Sequence, residues 1–264
     1  MDSSAVRTIT SGPHSRPYTG ESSLFVGIFI LMKQLRWLWL VATLAVLAEG
    51  FHVAMYVVPP DALQGNVQRI FYYHFASWCG MGLFYLLNLI CSILYLVYRN
   101  RRSDFAMKAD SLAFASAEIG VIFCTIGLVT GSLWGRAAWG IWWTWDPRLT
   151  STFVLWLIYI AYLLLRKLAA GPPMRTLAAV MAIFGYVDVP IVYMSTRWWR
   201  TQHPAPVFFG GPHSGIAASM MPAVWWNMIG WIMWGLWVAS MRYQSAYREQ
   251  LAEETAAKRI LEIA

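Results

Sequence analysis

Six long apolar stretches constrain the fold of this 264-residue chain more than any other feature of its sequence. Each stretch has 17 to 24 residues, and a helix needs about 20 residues to cross the hydrocarbon core of a bilayer. The stretches are Leu35–Val58, Phe75–Tyr98, Ser111–Leu133, Leu149–Leu165, Thr176–Thr196 and Ala223–Met241. The sequence therefore predicts an all-α integral membrane protein, built as a bundle of six transmembrane helices.

The composition excludes the main alternatives to a membrane protein. Hydrophobic residues make up 58% of the chain and charged residues 12%, against roughly 45–50% and 25% in soluble domains. The net charge of +7 is spread thinly along the chain, which argues against a nucleic-acid partner. Cys79, Cys91 and Cys124 lie in apolar runs and are odd in number, so we expect small buried residues rather than a disulfide framework.

The distribution of Lys and Arg predicts the orientation in the membrane. Fifteen of the 20 cationic residues fall before or at the start of the first stretch, in the second and fourth loops, or after the last stretch. Cytoplasmic segments carry such an excess of positive charge, so both termini are expected to be cytoplasmic. We predict an N-terminal cytoplasmic arm over 1–34, flexible to residue 21, a transmembrane domain over 35–241 and a cytoplasmic tail over 242–264 that continues the last helix.

A tryptophan-rich segment over 134–148 lies on the opposite, outer side, as does a loop over 197–222. The segment holds five tryptophans, Trp134, Trp139, Trp142, Trp143 and Trp145. If it is an amphipathic helix, all five indoles share one half of the cylinder and offer a flat aromatic platform, although Gly135 and Gly140 weaken such a helix. An ordinary interfacial aromatic belt is the alternative.

The charged residues around this segment suggest an anionic ligand and a helix start. Asp146-Pro147 is typical of the cap and first turn of the fourth helix. The five outer cations are all arginines, whose planar guanidinium suits carboxylate or phosphate groups of a ligand or of lipid. They are Arg69, Arg136, Arg148, Arg197 and Arg200.

Two of the five histidines are placed to serve as ligands near the platform. His74 lies at the outer end of the second stretch, and His203 follows the outer end of the fifth. Two neutral imidazoles on one side of a membrane, beside flat aromatic groups, would suit the two axial positions of an iron porphyrin. His14 and His213 are interpreted as solvated residues, and His52 as the hydrogen-bonding partner of Glu49.

These residues together resemble the haem-handling proteins of cytochrome c biogenesis, whose hallmark is a tryptophan-rich outer segment ending in Trp-x-Trp-Asp between two haem-ligating histidines. The length and the number of stretches are similar to those of the haem exporter C (CcmC) family, and the resemblance covers nearly all of 35–241. Phe75 and Ala76 follow His74 where that family usually has Val-Pro.

The resemblance implies a haem site on the periplasmic face of a bacterial inner membrane. His74 and His203 would ligate the iron of a non-covalently bound haem b. The platform would consist of the five tryptophans with Asp146, while Arg136 and Arg148 would contact the propionates. The implied partners are a haem chaperone (the E component), ABC transporter subunits, a small D subunit and membrane lipid, and the implied role is haem delivery rather than catalysis.

Two other classes of function stay open at this point. A b-type haem electron carrier is the first, although such proteins usually hold haem between mid-span histidines. A solute permease with an aromatic outer gate is the second, although the sequence shows no inverted repeat. The polar residues within the stretches should face the bundle interior, and Gly185 and Pro190 near Asp188 predict a kink. These polar residues are Glu49, Asn88, Glu118, Asp188 and Asn227.

Overall fold

The computed structural model describes residues 19–207 and 215–263, with side chains over 34–207, 215–260 and at 262, and in these ranges the regular structure is helical. The helices are α1 (Thr19–His52), α2 (Ile70–Tyr98), α3 (Ser103–Trp139), α4 (Pro147–Leu168), α5 (Gly171–Tyr186), α6 (Asp188–Trp198) and α7 (Met221–Ile263). A π-helical turn over Val53–Val57 extends α1, and single 3-10 turns precede α2 and α7. The packing described below lies within residues 40–263.

Five segments of the described chain are long and apolar enough to cross a membrane. They are Gln34–Val57, Asn66–Tyr98, Ser103–Trp139, Pro147–Leu168 and the α5–α6 segment Gly171–Trp198. The sixth predicted stretch, Ala223–Met241, is helical within α7 but is not among the five. Its five tryptophans and Asn227 make it less apolar than the others, because indole N–H groups favour the membrane interface.

The start of α1 corrects one expectation about the N-terminal arm. Residues 19–34 already belong to this helix. The prediction of a flexible arm as far as residue 21 is therefore wrong for residues 19–21. Residues 1–18 lie outside the described chain.

Close packing between α2 and α3 forms the centre of the bundle. The backbone of Gly120 on α3 lies against the ring of Tyr85 on α2, so close that a Cβ atom at Gly120 would overlap the ring. Tyr85 in turn stacks on Tyr159 of α4 with ring centroids 3.6 Å apart. Gly80 receives the ring of Phe123 in the same way. Small residues at such positions let membrane helices approach closely, and tight contact is what holds them together in lipid.

The fifth predicted stretch is broken, as its sequence indicated. Helix α5 ends at Tyr186 and α6 begins at Asp188, with Val187 between them. Pro190 sits in the first turn of α6, where its missing N–H leaves no hydrogen bond unmade. The predicted kink is confirmed, and it redirects the chain toward the residues that follow α6.

Ion pairs join the helices at the end of the bundle where α2 ends and α3 begins. Asp110 of α3 is buried and accepts hydrogen bonds from Arg166 of α4 and from Gln250 of α7, the latter at 2.7 Å. Arg242 of α7 pairs with Glu118 of α3 at 2.7 Å. Helix α7 continues to Ile263, which confirms the predicted helical tail.

Polar residues within the spans follow the predicted inward orientation with one exception. Asn88 and Asn227 are buried and donate to backbone carbonyls of Ala113 and Gly50. Glu49, however, is 47% exposed and lies 3.6 Å from the Nδ1 of His52, which is also exposed. The expectation that Glu49 faces the interior is wrong, because the face of α1 that packs on α7 carries Leu47 and Gly50 instead.

The contact between α2 and α3 generates a stability prediction. Replacing Gly120 by Ala should lower the free energy of unfolding by about 1–3 kcal/mol, because Tyr85 is held against Tyr159 and cannot move aside. Gly82→Ala is the matched control, since no atom lies within 4 Å of a Cβ at that position on α2. Thermal unfolding in detergent measures both variants. Equal stability of the two variants would show that the close contact between Gly120 and Tyr85 does not contribute to the free energy of unfolding.

Candidate functional site

His74 is buried where the first turns of α2 meet the last turns of α3. Its relative exposure is 8%. The imidazole packs edge-on against the indole of Trp134, with ring centroids 5.8 Å apart. On the other side it approaches Gly131 so closely that a Cβ there would lie 3.1 Å from His74 Cε1. The glycine therefore makes room for the ring.

The hydrogen bonds of His74 fix the position of its proton. The indole Nε1–H of Trp78 donates to His74 Nε2 at 2.8 Å. An indole nitrogen is only a donor, so Nε2 carries the lone pair and the neutral ring bears its proton on Nδ1. This Nδ1–H donates to Thr130 Oγ1 at 3.0 Å, and the hydroxyl of Thr130 donates to the carbonyl of Ile126. The ring is thereby held in one orientation.

The tryptophan-rich segment is only partly helical, which corrects the expectation of one amphipathic helix. Helix α3 ends at Trp139, and Gly140 has a left-handed conformation with φ +76°. Residues 140–146 then form a non-helical connection to α4. The left-handed glycine stops α3, and Pro147 cannot continue a helix from the preceding residues because it lacks an N–H and disfavours helical conformation before it.

Most of the indoles are nevertheless accessible at this end of the bundle. The exposed fractions are 45% for Trp139, 56% for Trp142 and 73% for Trp145. Trp143 is half-buried, and its ring meets that of Trp145 edge-on with centroids 5.7 Å apart. Trp142 and Trp143 also line an apolar hollow of about 390 Å³ between α3 and α4, whose wall includes Phe153 and Trp156. The connection thus presents an aromatic surface without being a helix.

Asp146 connects the start of α4 to the segment that carries His203. One carboxylate oxygen accepts from the backbone N–H of Leu149 at 2.9 Å, which confirms the predicted helix cap. The other accepts from the Thr201 hydroxyl and, at 3.2 Å, from the backbone N–H of Gln202. Thr201 Oγ1 also accepts from the backbone N–H of His203 at 3.0 Å. A single carboxylate therefore positions two chain segments.

His203 is held as a neutral imidazole with a defined tautomer. Its Nδ1 lies 2.8 Å from the carbonyl oxygen of Pro204, and a carbonyl only accepts, so Nδ1 carries the proton and Nε2 the lone pair. Burial, and next the guanidinium of Arg148, lower the pKa of His203 to about 4. The ring is consequently uncharged at neutral pH, the form that binds metal.

Arg148 lies close to both histidines. It lies near enough to both rings to act on them electrostatically, as His203 does on His74. The guanidinium stands 5.7 Å from the ring centroid of Trp78 and donates to the carbonyl of Val192 at 2.9 Å. Its Nε–H is buried and has no acceptor in the described ranges.

The other outer arginines are less enclosed. Arg136 is exposed, donates to the carbonyl of Gly140 and lies 6.0 Å from the ring centroid of Trp142. Arg69 donates to the carbonyl of Ala54 and so secures the turn after α1. Arg197 and Arg200 are exposed near the end of α6.

The fold thus gathers His74, Trp134, Arg148, Asp146 and His203 at one end of the bundle. It does not bring His52 to this group, and His14 and His213 lie outside the described residues. Sequence reasoning missed Trp78, Thr130 and Thr201. Only Trp78 had a detectable signal, because it lies four residues after His74 and therefore one helical turn away on the same face.

The two roles of Asp146 can be separated by one substitution. Asn at this position keeps an oxygen to cap α4, but its NH₂ group cannot accept from Thr201 and Gln202. Asp146→Asn should therefore speed amide hydrogen exchange in residues 201–203 by roughly tenfold, with little change in the first turn of α4. Asp61→Asn, in the loop before α2, is the control. Unchanged exchange at 201–203 would contradict the positioning role.

Comparison with known proteins places the chain in a family. Residues 22–258 match the family model described as heme exporter protein C. The chain is 33% identical to heme exporter protein C of Escherichia coli strain K12 over 217 residues, covering 78% of this chain and 82% of that protein. It is 36% identical to the protein of the same name from Bradyrhizobium diazoefficiens over 189 residues, covering 70% and 68%. For the Haemophilus influenzae protein the identity is 31% over 217 residues, covering 81% and 83%. With the family model spanning most of its length, the chain belongs to the heme exporter protein C family.

Proposed function

We propose that this chain binds haem between His74 and His203 on the periplasmic face of the bacterial inner membrane and delivers it for the assembly of c-type cytochromes. The observation that carries the proposal is the matched state of the two histidines. Each imidazole donates its Nδ1–H to an oxygen and keeps the Nε2 lone pair, as a metal-ligating histidine does. Both belong to one end of the bundle, beside the exposed tryptophans.

The residues present fit a porphyrin rather than a bare metal ion. Among the described residues there is no cluster of three or more His, Cys, Asp or Glu that could hold a metal ion. A porphyrin supplies four nitrogen ligands itself and needs only two more from the protein. The hydrophobic indoles of Trp139, Trp142 and Trp145 would cover the flat macrocycle, with Trp134 packed beside His74 and Trp143 beneath the surface.

The arginines would receive the carboxylates of the haem propionates. Arg136 is exposed next to Trp142 and has no acidic partner in the described ranges. Arg148 is half-buried close to both histidines and has an Nε–H without an acceptor in the described ranges. Asp146 would act through the backbone, by keeping the segment of His203 in place, rather than by touching haem.

This arrangement suits a protein that holds and presents haem rather than one that catalyses a reaction on it. Two axial histidines would fill both open iron positions, and the accessible tryptophans would leave one edge of the macrocycle open to an acceptor. The acceptor in our proposal is a membrane-anchored haem chaperone, with ABC transporter subunits and a small D subunit as further partners. The histidines lie at a bundle end, unlike the mid-span ligands of b-type electron carriers.

The topology belongs to the same proposal. The ends of α2 and α4 and the starts of α3 and α5 carry Arg99, Arg101, Arg102, Lys108, Arg166, Lys167 and Arg175. This end is assigned to the cytoplasm by the excess of positive charge. The haem site at the other end would then be periplasmic. Because five candidate spans precede α7, the N-terminal part of α7 would have to cross the membrane as a sixth span for the C-terminal tail to be cytoplasmic.

Removing either histidine tests the proposal. Purified protein loaded with haem should show a six-coordinate, low-spin bis-imidazole spectrum. His74→Gly and His203→Gly should each abolish that spectrum and weaken haem binding by about tenfold or more. His52→Gly, which alters an exposed histidine away from the site, should retain it. Full low-spin haem in both site variants would refute the ligation.

The platform has a separate test. Alanine in place of Trp142 or Trp145 should slow haem transfer to the purified chaperone by about three- to tenfold, with no loss of thermal stability, since both side chains are largely exposed. Trp37→Ala, at another exposed indole on α1, serves as the control. Transfer is followed by the haem absorbance of the chaperone. Normal transfer by both platform variants would contradict this role.

A further inference from the structure

We infer that Trp78 competes with haem iron for His74 and thereby keeps the bound haem releasable. The inference rests on the proposed ligation by His74 and deepens it. An axial ligand must give the lone pair of its nitrogen to iron. In this structure the lone pair of His74 Nε2 already accepts a hydrogen bond from the indole N–H of Trp78, at 2.8 Å. One lone pair cannot accept a hydrogen bond and bind iron at the same time.

The imidazole cannot present its other nitrogen to iron without further cost. Nδ1 carries the proton, which Thr130 Oγ1 accepts, and Thr130 is itself committed to the carbonyl of Ile126. The ring is also enclosed on the side of Gly131, where an added Cβ would lie 3.1 Å from His74 Cε1. Iron binding at Nε2 therefore requires the indole N–H of Trp78 to leave.

The indole is held where it can return. Trp78 lies one turn after His74 on α2, and long side chains in a helix point toward its N-terminus, so the indole reaches back to the imidazole. The guanidinium of Arg148 stands 5.7 Å from its ring centroid. Gly127 of α3 also lies beside the indole, where a Cβ would make ordinary contact with it at 3.4 Å. When haem departs, the N–H re-forms its bond to Nε2 and opposes rebinding.

The consequence is a lowered affinity that favours transfer to an acceptor. Trp134 offers a natural comparison, because its ring also packs on His74 but its N–H donates to Gln64 Oε1 at 2.7 Å. Only Trp78 competes for the lone pair. The competition corresponds to one hydrogen bond, which sets the expected change in affinity at about three- to tenfold.

The test is a titration of full-length protein in detergent with ferric haem, followed by Soret absorbance. Trp78→Phe retains an aromatic ring and removes the N–H, so the Kd for haem should fall by about three- to tenfold. Release to apomyoglobin, used as a haem acceptor, should slow by a similar factor. Trp37→Phe, at the exposed indole on α1 that lies outside the proposed platform, should leave both quantities unchanged. The same change at Trp78 should have no effect in a His74→Gly background, where no lone pair is contested.

The outcomes separate this inference from the proposed function. If Trp78→Phe binds haem as tightly as the wild type or more weakly, while His74→Gly still binds it poorly, the inferred competition by Trp78 is overturned. The proposed ligation by His74 is then unaffected. Tighter binding that persists in the His74→Gly background also overturns it, because the effect then arises from the pocket rather than from the lone pair. Wild-type binding by His74→Gly itself refutes the ligation, and the competition with it.

Discussion

The close approach of α2 to α3 is the contact on which the rest of the structure depends. Glycines on both helices bring the backbones together, with Gly80 and Gly120 facing the rings of Phe123 and Tyr85. Toward the site the same pair of helices places His74 against Gly131 and within hydrogen-bonding distance of Thr130. A bulkier α3 would displace the histidine as well as loosen the core, so packing and ligand geometry are set by one interface.

The second histidine is positioned by different means. His203 follows the last turn of α6 and has no helix of its own, so hydrogen bonds rather than packing decide where it lies. Asp146 supplies them through Thr201 and Gln202 while it caps α4. The aspartate at the end of the tryptophan segment thus belongs to the architecture of this end of the bundle, which explains how a motif in one loop can position His203 in another.

The two ring tautomers connect this architecture to a chemical role. Oxygen acceptors at both Nδ1 positions leave both Nε2 atoms as electron-pair donors, which is the state in which our proposal has them bind haem iron. The difference lies in what each Nε2 meets. His74 Nε2 accepts a hydrogen bond from the N–H of Trp78, and in our proposal this competition suits a protein that must give haem away.

The sequence by itself determined the helical class, five of the six apolar spans, the cap at Asp146 and the kink before Pro190, because these depend on composition and on local backbone chemistry. The residues of the proposed haem site came from a distinctive motif. Sequence reasoning failed for the tryptophan segment, where a left-handed Gly140 ends α3 before Trp142, and for Glu49, whose exposure depends on which face of α1 meets α7. Only the tertiary structure decided the proximity of His74, Arg148 and His203, together with the contacts of Trp78, Thr130 and Thr201. Those contacts join residues of α2, α3 and α4, of the connection before α4 and of the segment after α6. No local periodicity encodes which distant side chain completes a hydrogen bond.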